Sequence, residues 1–85
     1  MEEKYQALWF SAAYDNLKVE FEELRSDLLL VIFKDIQGIY LPYLYSKESD
    51  FQYSLPVWSV KNEKAMMPSL ESAKEYLELF FENYT

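Results

Sequence analysis

Carboxylates are the side chains with the widest chemical possibilities in this sequence, because the chain contains no histidine and no cysteine. Two acids about 5–10 Å apart can hydrolyse a glycosidic bond. Six acids outside the predicted C-terminal helix are candidates for this role: Asp15, Glu20, Asp35, Glu48, Asp50 and Glu63. A chain of 85 residues offers little room for a cleft that would desolvate one of them and tune its pKa. We therefore expect them to be solvated surface charges.

Most other catalytic and cofactor chemistry is excluded by missing residue types. Ser-His-Asp and Cys-His catalysis lacks its base, and zinc lacks cysteine and histidine ligands. The single glycine, Gly38, rules out a phosphate-binding loop and a dinucleotide fingerprint. Glu48 and Asp50 lie two residues apart in a polar loop, but no calcium-loop ligand series surrounds them. The sequence therefore predicts a binding protein, not an enzyme, with no catalytic residue, cofactor or metal site.

A row of glutamates near the C-terminus carries the first functional hypothesis. Its members are Glu71, Glu75, Glu78 and Glu82. On a helix their spacing places successive carboxylates about 5–6 Å apart along the axis, within a factor of about 1.5 of the phosphate spacing on a nucleic-acid strand. Such a row would imitate a nucleic-acid backbone and occupy the basic groove of a protein that handles nucleic acid. The alternative is an ordinary solvated helix face, on which only Lys74 offers local neutralisation.

Aromatic side chains carry the second functional hypothesis, since the chain has two tryptophans, eight tyrosines and six phenylalanines. Tyr and Trp are enriched in binding hot spots because they give a large contact area at a low rotamer cost. Alternation along a strand puts Tyr40 and Leu44 on one side of the predicted sheet and Tyr43 on the other. We expect Tyr40, Leu44 and Trp58 to face a partner. The alternative is that helices cover both faces and that these residues belong to the core.

The first element that must position these residues is predicted to be a helix from Glu2 to Arg25. Its apolar residues recur at spacings of three and four and share one face. They are Phe10, Ala13, Tyr14, Leu17, Phe21 and Leu24. A strand is the competing interpretation for the second half, because Leu17, Val19 and Phe21 alternate with charged residues. Asp15-Asn16 would then form a turn.

Three strands are predicted after this helix. Leu28 to Lys34 is apolar on both faces, which indicates a buried strand, and Ile39 to Tyr45 completes a hairpin with it. The turn from Asp35 to Gly38 contains the one glycine, which takes a positive φ without steric cost. Ser46 to Asp50 is a polar loop. Phe51 to Val57 alternates apolar and polar residues, which predicts the third strand.

Two prolines bear on the order of these strands. Pro42 and Pro56 cannot donate a hydrogen bond to a neighbouring strand, so each favours an edge position or a bulge. This argument places Leu28–Lys34 in the middle of the sheet. A simple meander would instead put Pro42 in the central strand and would need a bulge there. The order stays open between these two arrangements.

The last element is predicted to be a helix from Ser69 to Tyr84, with Ser69 as its N-cap after Pro68. Leu70, Ala73 and Leu77 lie on its inner stripe, and the glutamate row occupies the opposite side. The order α-β-β-β-α predicts a single α+β domain over residues 1–85. In this fold an N-terminal and a C-terminal helix pack on a small three-stranded antiparallel sheet.

Net charge narrows the class of partner. Fifteen acids against eight bases give −7, which disfavours direct binding to nucleic acid or to an anionic membrane and favours a basic protein. No targeting segment and no apolar run of about twenty residues is visible in the sequence. The absence of cysteine suits a reducing compartment, so we expect a cytoplasmic protein.

These features predict a stoichiometric inhibitor or antagonist of a basic protein that handles nucleic acid, such as a nuclease, a toxin or a defence effector. Acidic residues would steer the partner, and exposed Tyr, Trp and Leu would supply most of the binding energy. Small immunity proteins and phage-coded antagonists share this charge and size, which is an analogy of class. The alternative is a homodimeric structural or adaptor module that pairs through an edge strand or an aromatic face.

Overall fold

The computed structural model describes residues 2–9 and 16–84, which form six β-strands and one α-helix. The strands are β1 (Glu2–Lys4), β2 (Ala7–Trp9), β3 (Lys18–Arg25), β4 (Leu28–Lys34), β5 (Tyr40–Glu48) and β6 (Val57–Val60). The helix is α1 (Leu70–Tyr84). The strands form one mixed sheet in the order β1-β2-β6-β5-β4-β3, which is curled into a half-barrel, and α1 packs on one of its faces.

The predicted α-β-β-β-α architecture is wrong. The described chain has six strands and a single C-terminal helix, instead of three strands packed by two helices. Strands β1, β2 and β3 replace the predicted helix from Glu2 to Arg25. Part of the predicted stripe, Phe10, Ala13 and Tyr14, lies outside the described residues, as does Asp15. The competing strand interpretation of residues 17–24 is confirmed by β3.

Strand β3 forms because the next segment of the chain, the buried strand β4, pairs with it. It pairs antiparallel with β4 from end to end, across a tight turn at Ser26 and Asp27. Ser26 adopts φ 56°, a left-handed conformation of the kind that tight hairpin turns require. Phe21 packs against the hydrophobic cluster beneath α1. Strand pairing and this packing therefore override the helix propensity of the glutamates in β3.

The predicted hairpin between the two central strands is confirmed. Its first strand, Leu28–Lys34, has the predicted bounds, and its second strand runs from Tyr40 to Glu48, beyond the predicted end at Tyr45. Gly38 in the connecting turn has φ 86°, so the glycine supplies the left-handed conformation expected of it. The turn therefore fixes the register that places alternate residues of β4 and β5 on the two faces of the sheet.

The predicted third strand, Phe51 to Val57, is wrong. Residues 51–55 form turns and bends, and β6 begins only at Val57. The Asp50 carboxylate accepts a hydrogen bond from the backbone N–H of Gln52 at 2.9 Å. A local bond of this kind gives the backbone an alternative to a strand ladder, and it starts a turn where the alternation of residues indicated a strand.

Of the two strand orders that the sequence leaves open, the structure has the one with Pro42 in a central strand, because β5 lies between β4 and β6. The Pro42 carbonyl points away from β4 and accepts a hydrogen bond from Asn62 Nδ2 at 2.9 Å. Because β6 pairs only with the part of β5 from Tyr45 onward, no strand lies opposite the missing N–H of Pro42. The pairing of β5 with β4 continues past Pro42 without a register shift.

Asn62 takes the place of a strand along this stretch of β5. Its Oδ1 accepts a hydrogen bond from the Leu44 N–H at 2.8 Å, and its Nδ2 donates to the Pro42 and Glu63 carbonyls. Farther along, Met67 and Tyr40 exchange two backbone hydrogen bonds of 2.8 and 2.9 Å. One buried amide and one isolated bridge thus satisfy the edge of β5 that β6 leaves uncovered.

Two hydrophobic clusters lie on opposite faces of the sheet. The inner cluster contains Ala7, Trp9, Leu29, Val31, Phe33, Leu41, Tyr45 and Trp58, which come from four strands. The outer cluster contains Leu30, Ile32, Leu44, Ala73 and Leu77, which join the other face of β4 and β5 to α1. The predicted C-terminal helix is confirmed, and the Ser69 hydroxyl caps it by accepting a hydrogen bond from the Ser72 N–H at 3.1 Å.

Candidate protein-binding surface

The four glutamates of the predicted row lie on the solvent-exposed side of α1. Glu71, Glu75, Glu78 and Glu82 are all exposed, whereas Ala73 and Leu77 on the opposite side are buried. The helix therefore separates its apolar and acidic sides as the sequence predicts. Glu71, Glu75 and Glu82 form no ion pair with any residue in ranges 2–9 and 16–84.

Glu78 differs from the other three because it is bound by Arg25 of β3. The Arg25 guanidinium donates to both carboxylate oxygens, with 3.1 Å from Nη1 to Oε2, and also pairs with Glu23. The hydrogen bond from Arg25 lowers the pKa of the Glu78 carboxyl, and the bonds to Glu78 and Glu23 raise the pKa of Arg25. The same guanidinium lies over the ring of Phe81. Glu78 thus fixes α1 to β3, and the other three glutamates keep their charge available.

The positive charges of the described residues are mostly used inside the fold. Every lysine and arginine in that part of the chain, except Lys64, lies against a carboxylate or an aromatic ring. The contacts are Lys4 with Glu22 and Trp9, Lys18 with Glu20, Arg25 with Glu78 and Phe81, Lys34 with Tyr40, Lys47 with Trp58, Lys61 with Glu48, and Lys74 with Phe21. Lys74, which the sequence offered as a neutraliser of the glutamate row, lies over the Phe21 ring instead.

The last turn of α1 adds to the negative potential of this side. It contains Glu82 and no basic residue. The C-terminus of a helix carries a partial negative charge, so cations are favoured there and carboxylates are disfavoured. The carboxylate of Glu82 therefore stands in an unfavourable field that a basic partner would relieve.

The predicted aromatic contact patch is not exposed. Leu44 is 0% and Trp58 is 5% exposed, and Tyr40 is half-buried. The alternation separated the two faces of β5 correctly, but α1 covers the face with Tyr40 and Leu44, which was expected to be free. Trp58 belongs to the inner cluster, and its indole N–H donates to the Lys4 carbonyl at 2.7 Å. Leu44 and Trp58 therefore offer no surface to a partner.

Four of the six carboxylates considered for acid-pair chemistry are bound within the fold. Asp35 and Asp50 each accept a hydrogen bond from a backbone N–H two residues later, at 2.9 Å. Glu20 lies 3.9 Å from Lys18, and Glu48 pairs with Lys61. Glu63 is exposed. In the described part of the chain no group of three or more acidic side chains is arranged to hold a metal ion.

A depression of about 660 Å³ lies at the end of the sheet where β3 begins and β4 ends. Its lining residues are Asn16, Leu17, Lys18, Lys34, Asp35 and Ile36. It is wide open to solvent, and its one carboxylate, Asp35, is already bound to the turn through the N–H groups of Gln37 and Ile39. An enclosed apolar site with convergent polar groups, as small ligands require, is not formed by these residues.

A polar cluster joins the two edges of the curled sheet. Glu22 of β3 accepts hydrogen bonds from Lys4 Nζ at 2.6 Å and from the Tyr5 hydroxyl at 2.7 Å. Tyr5 and Gln6, in the turn between β1 and β2, have φ values of 53° and 63°, which are costly for residues other than glycine. The contact with Glu22 helps to hold this strained turn across the open side of the half-barrel.

This cluster gives a testable dependence of stability on pH. Partial burial acts to raise the pKa of the Glu22 carboxyl, but the hydrogen bonds from Lys4 and Tyr5 outweigh it and lower the pKa below its ordinary value of 4.5. A lowered pKa in the folded state means that Glu22 contributes stability above pH 4.5, which is lost as the pH falls through the lowered value. We expect the stability difference between wild type and Glu22→Gln to shrink below pH 4.5 in urea unfolding followed by circular dichroism. A difference independent of pH would contradict the cluster.

Two exposed apolar side chains were not identified as surface features from the sequence. Ile36 is 95% and Phe51 is 98% exposed, and each follows an aspartate that caps a turn. The signal that identifies them is shared: an aspartate, an apolar residue and a glutamine in succession, at Asp35-Ile36-Gln37 and at Asp50-Phe51-Gln52. The first turn was predicted, and the second was assigned to a strand.

Comparisons with known proteins do not indicate a function for this chain. No family model, curated protein or solved structure matches this chain. Within residues 2–9 and 16–84, no helix is long and apolar enough to cross a membrane. The surface just described therefore carries the functional argument.

Proposed function

We propose that this protein is a stoichiometric inhibitor or antagonist of a basic protein that handles nucleic acid, such as a nuclease, a toxin or a defence effector. The observation that carries the proposal is the outer side of α1. There, Glu71, Glu75 and Glu82 are exposed and form no ion pair within the described residues. A fixed row of unneutralised carboxylates is suited to the cationic groove in which a partner binds phosphates.

Electrostatics would act chiefly on the rate of association. With a net charge of −7, the protein attracts a basic partner at long range, and the helix row orients the approach. Because these carboxylates stand on a helix, their backbone is already ordered and loses little entropy when they meet lysine or arginine side chains. Because the cations of this protein already lie against its own carboxylates and rings, they offer little competition with those of the partner. The same charge opposes direct binding to nucleic acid.

A homodimer formed through an edge strand is the weaker candidate. The long free edge of the sheet is β3, and its register shifts between Val19 and Phe21, which marks a bulge. Three of its residues are glutamates, which would meet glutamates in most pairings of β3 with itself. Bulges and charged side chains on edge strands discourage pairing of one copy with another.

The proposed compartment is the cytoplasm, where such a target and nucleic acid meet. The absence of cysteine and the absence of a membrane-spanning helix among the described residues support this placement. The function is tested by capturing partners on the immobilised protein, purifying a captured basic protein and titrating its binding to nucleic acid. We expect complete loss of nucleic-acid binding at one equivalent. Undiminished binding at saturation would overturn the proposed function.

Charge reversal on the helix should slow the association with that partner. We expect Glu75→Lys with Glu82→Lys to reduce the association rate constant about tenfold at low salt, and to flatten its dependence on salt concentration, because steering is lost. Glu78 is left unchanged because its reversal would also break the contact with Arg25. Stopped-flow measurements at several ionic strengths provide the rates.

The control for this variant carries the same change in net charge elsewhere. Glu3 and Glu63 are exposed and lie outside α1, so Glu3→Lys with Glu63→Lys reverses two charges without touching the helix row. We expect its rate constant to lie much closer to that of the wild type. Equal slowing in both variants would show that net charge acts alone, without the row on α1.

A further inference from the structure

The two capped turns at opposite ends of β5 share one side-chain and one backbone hydrogen bond. In the first, Gln37 N–H donates to Asp35 Oδ1 at 2.9 Å, and Gly38 N–H donates to the Asp35 carbonyl at 3.1 Å. In the second, the corresponding bonds from Gln52 and Tyr53 to Asp50 measure 2.9 and 3.1 Å. Both turns are therefore held by a side-chain bond and a backbone bond.

Each turn displays one apolar side chain that takes no part in the fold. Ile36 and Phe51 follow the capping aspartates, are almost completely exposed, and belong to neither hydrophobic cluster. An exposed phenylalanine on a fixed backbone has only two side-chain torsions to lose on binding, so it is well suited to enter a pocket. The surroundings of the two side chains decide which of them fits the proposed partner.

The end of the sheet that carries Phe51 is acidic. Leu28 pairs with Ser46, and the Lys47 N–H donates to the Asp27 carbonyl at 2.9 Å, so the turn containing Asp27 lies beside the end of β5. Asp50 precedes Phe51 directly. The last turn of α1 points toward this end as well, because Glu78 contacts Arg25 at the end of β3. Asp27 and Asp50 thus lie at the same end of the sheet as Phe51 and form no ion pair within the described residues, and the last turn of α1, which contains Glu82, points toward this end.

The end that carries Ile36 is less acidic. Lys18 and Lys34 line the depression beside it, and the Asp35 carboxylate is bound to two backbone N–H groups. Lys18 and Lys34 lie against Glu20 and Tyr40, so this end attracts a basic partner less than the other end does. Because Ile36 holds the same position in a turn with the same two hydrogen bonds but in a different electrostatic setting, it serves as an internal control for Phe51.

We infer that the Phe51 turn is the apolar anchor of the interface: Phe51 enters an apolar pocket of a protein partner whose rim carries lysine or arginine side chains, and these meet Asp27 and Asp50. This inference rests on the proposed function for the charge of the partner. It adds a buried apolar contact that the glutamate row lacks, since exposed ion pairs contribute little to binding energy and buried aromatic anchors dominate it.

The test selects binders from a phage-displayed library of random peptides on immobilised wild-type protein and measures the selected peptides against variants. We expect enriched peptides to combine lysine or arginine with aliphatic or aromatic residues. Their dissociation constants should rise about tenfold or more with Phe51→Ser, as a hot-spot residue requires, and change less than about twofold with Ile36→Ser. Both residues are almost completely exposed, so neither replacement affects folding, which matched unfolding curves verify.

The charged part is tested by Asp27→Asn with Asp50→Asn, against Asp35→Asn as control. At Asp35 and Asp50 asparagine keeps the oxygen that accepts the turn hydrogen bond, and at all three positions it removes the charge. We expect the first variant to weaken binding more at low salt than at high salt, and the control to leave it unchanged. A salt-independent result for the paired variant would overturn the charged rim.

The remaining outcomes separate the anchor from the proposed function. Enriched peptides that bind Phe51→Ser as tightly as wild type, or a selection that enriches nothing, would overturn the anchor. Neutral peptides that depend on Phe51 would support the anchor and count against a basic target. Basic peptides that ignore Phe51 but lose affinity with the Glu75 and Glu82 reversals would support the proposed function and overturn the anchor.

Discussion

Replacing Asn62 with leucine is expected to lower the free energy of unfolding by about 3 kcal/mol, because two backbone groups of β5 would lose their partners inside the protein. Asn62 is buried, accepts from the Leu44 N–H at 2.8 Å and donates to the Pro42 carbonyl at 2.9 Å. Leucine fills a similar volume, so packing changes little and the loss of stability reports on the missing hydrogen bonds of Asn62. In a domain of this size the melting temperature should fall by about 15 °C. Calorimetry or urea unfolding measures the effect.

Two further variants isolate the hydrogen bonds. Asn83 is exposed on α1, and Asn83→Leu should change the free energy of unfolding by less than about 0.5 kcal/mol. Asn62→Asp keeps the acceptor for Leu44, but the ionised carboxylate faces the Pro42 and Glu63 carbonyls. Its destabilisation should diminish at acidic pH, where the protonated side chain donates again. An Asn62→Leu protein as stable as wild type would show that water or another group replaces the amide.

Leu77→Ala is expected to cost about 3 kcal/mol, because Leu77 is the residue of α1 that fills the contact with β4 and β5. It packs with Leu30, Ile32 and Leu44, and its removal leaves a cavity in the outer cluster. The free energy of unfolding in urea reports the change. The slope of unfolding against urea concentration should stay the same if the helix remains docked.

The control for this variant lies two residues farther along α1. Leu79 is exposed, so Leu79→Ala removes the same atoms from a position where little surface is buried. We expect a change of less than about 0.5 kcal/mol. If the two variants lost equal stability, the side of α1 that packs on the sheet would differ from the one described.

The sequence indicates an element reliably where local chemistry alone decides it. The apolar run of β4, the glycine at Gly38 and the serine cap at Ser69 each act within a few residues, and each is found as predicted. The segment that became β3 fits both a helix and a strand, and its pairing with β4 decides between them. Strands of three residues such as β1 and β2 are too short for any periodicity to reveal them.

The position of Pro42 shows a second limit. A central strand tolerates this proline because Asn62, twenty residues later, supplies an amide where a strand would otherwise lie. No rule of local sequence connects the two residues. The rule that proline favours edge strands does not place Pro42 correctly, because a side-chain amide instead of a neighbouring strand bonds this part of β5.

The candidate surface divides in the same way. A helical wheel is sufficient to place Glu71, Glu75 and Glu82 in solvent, because the apolar stripe of α1 fixes its orientation. Alternation in β5 separates Tyr40 and Leu44 from Tyr43 but does not say which face the helix covers, so Leu44 was placed on the wrong side. Phe51 was missed because its turn also alternates apolar and polar residues.

The parallel contact between β2 and β6 has a consequence for synthesis of the chain. Leu8 donates its N–H to the Pro56 carbonyl at 2.8 Å, so the first strands dock on a segment that leaves the ribosome nearly fifty residues later. The β3-β4-β5 meander uses nearby residues and can assemble earlier, because short loops close at a low entropic cost. Trp9 also packs with Trp58 of β6, so its burial is complete only after that strand has been synthesised.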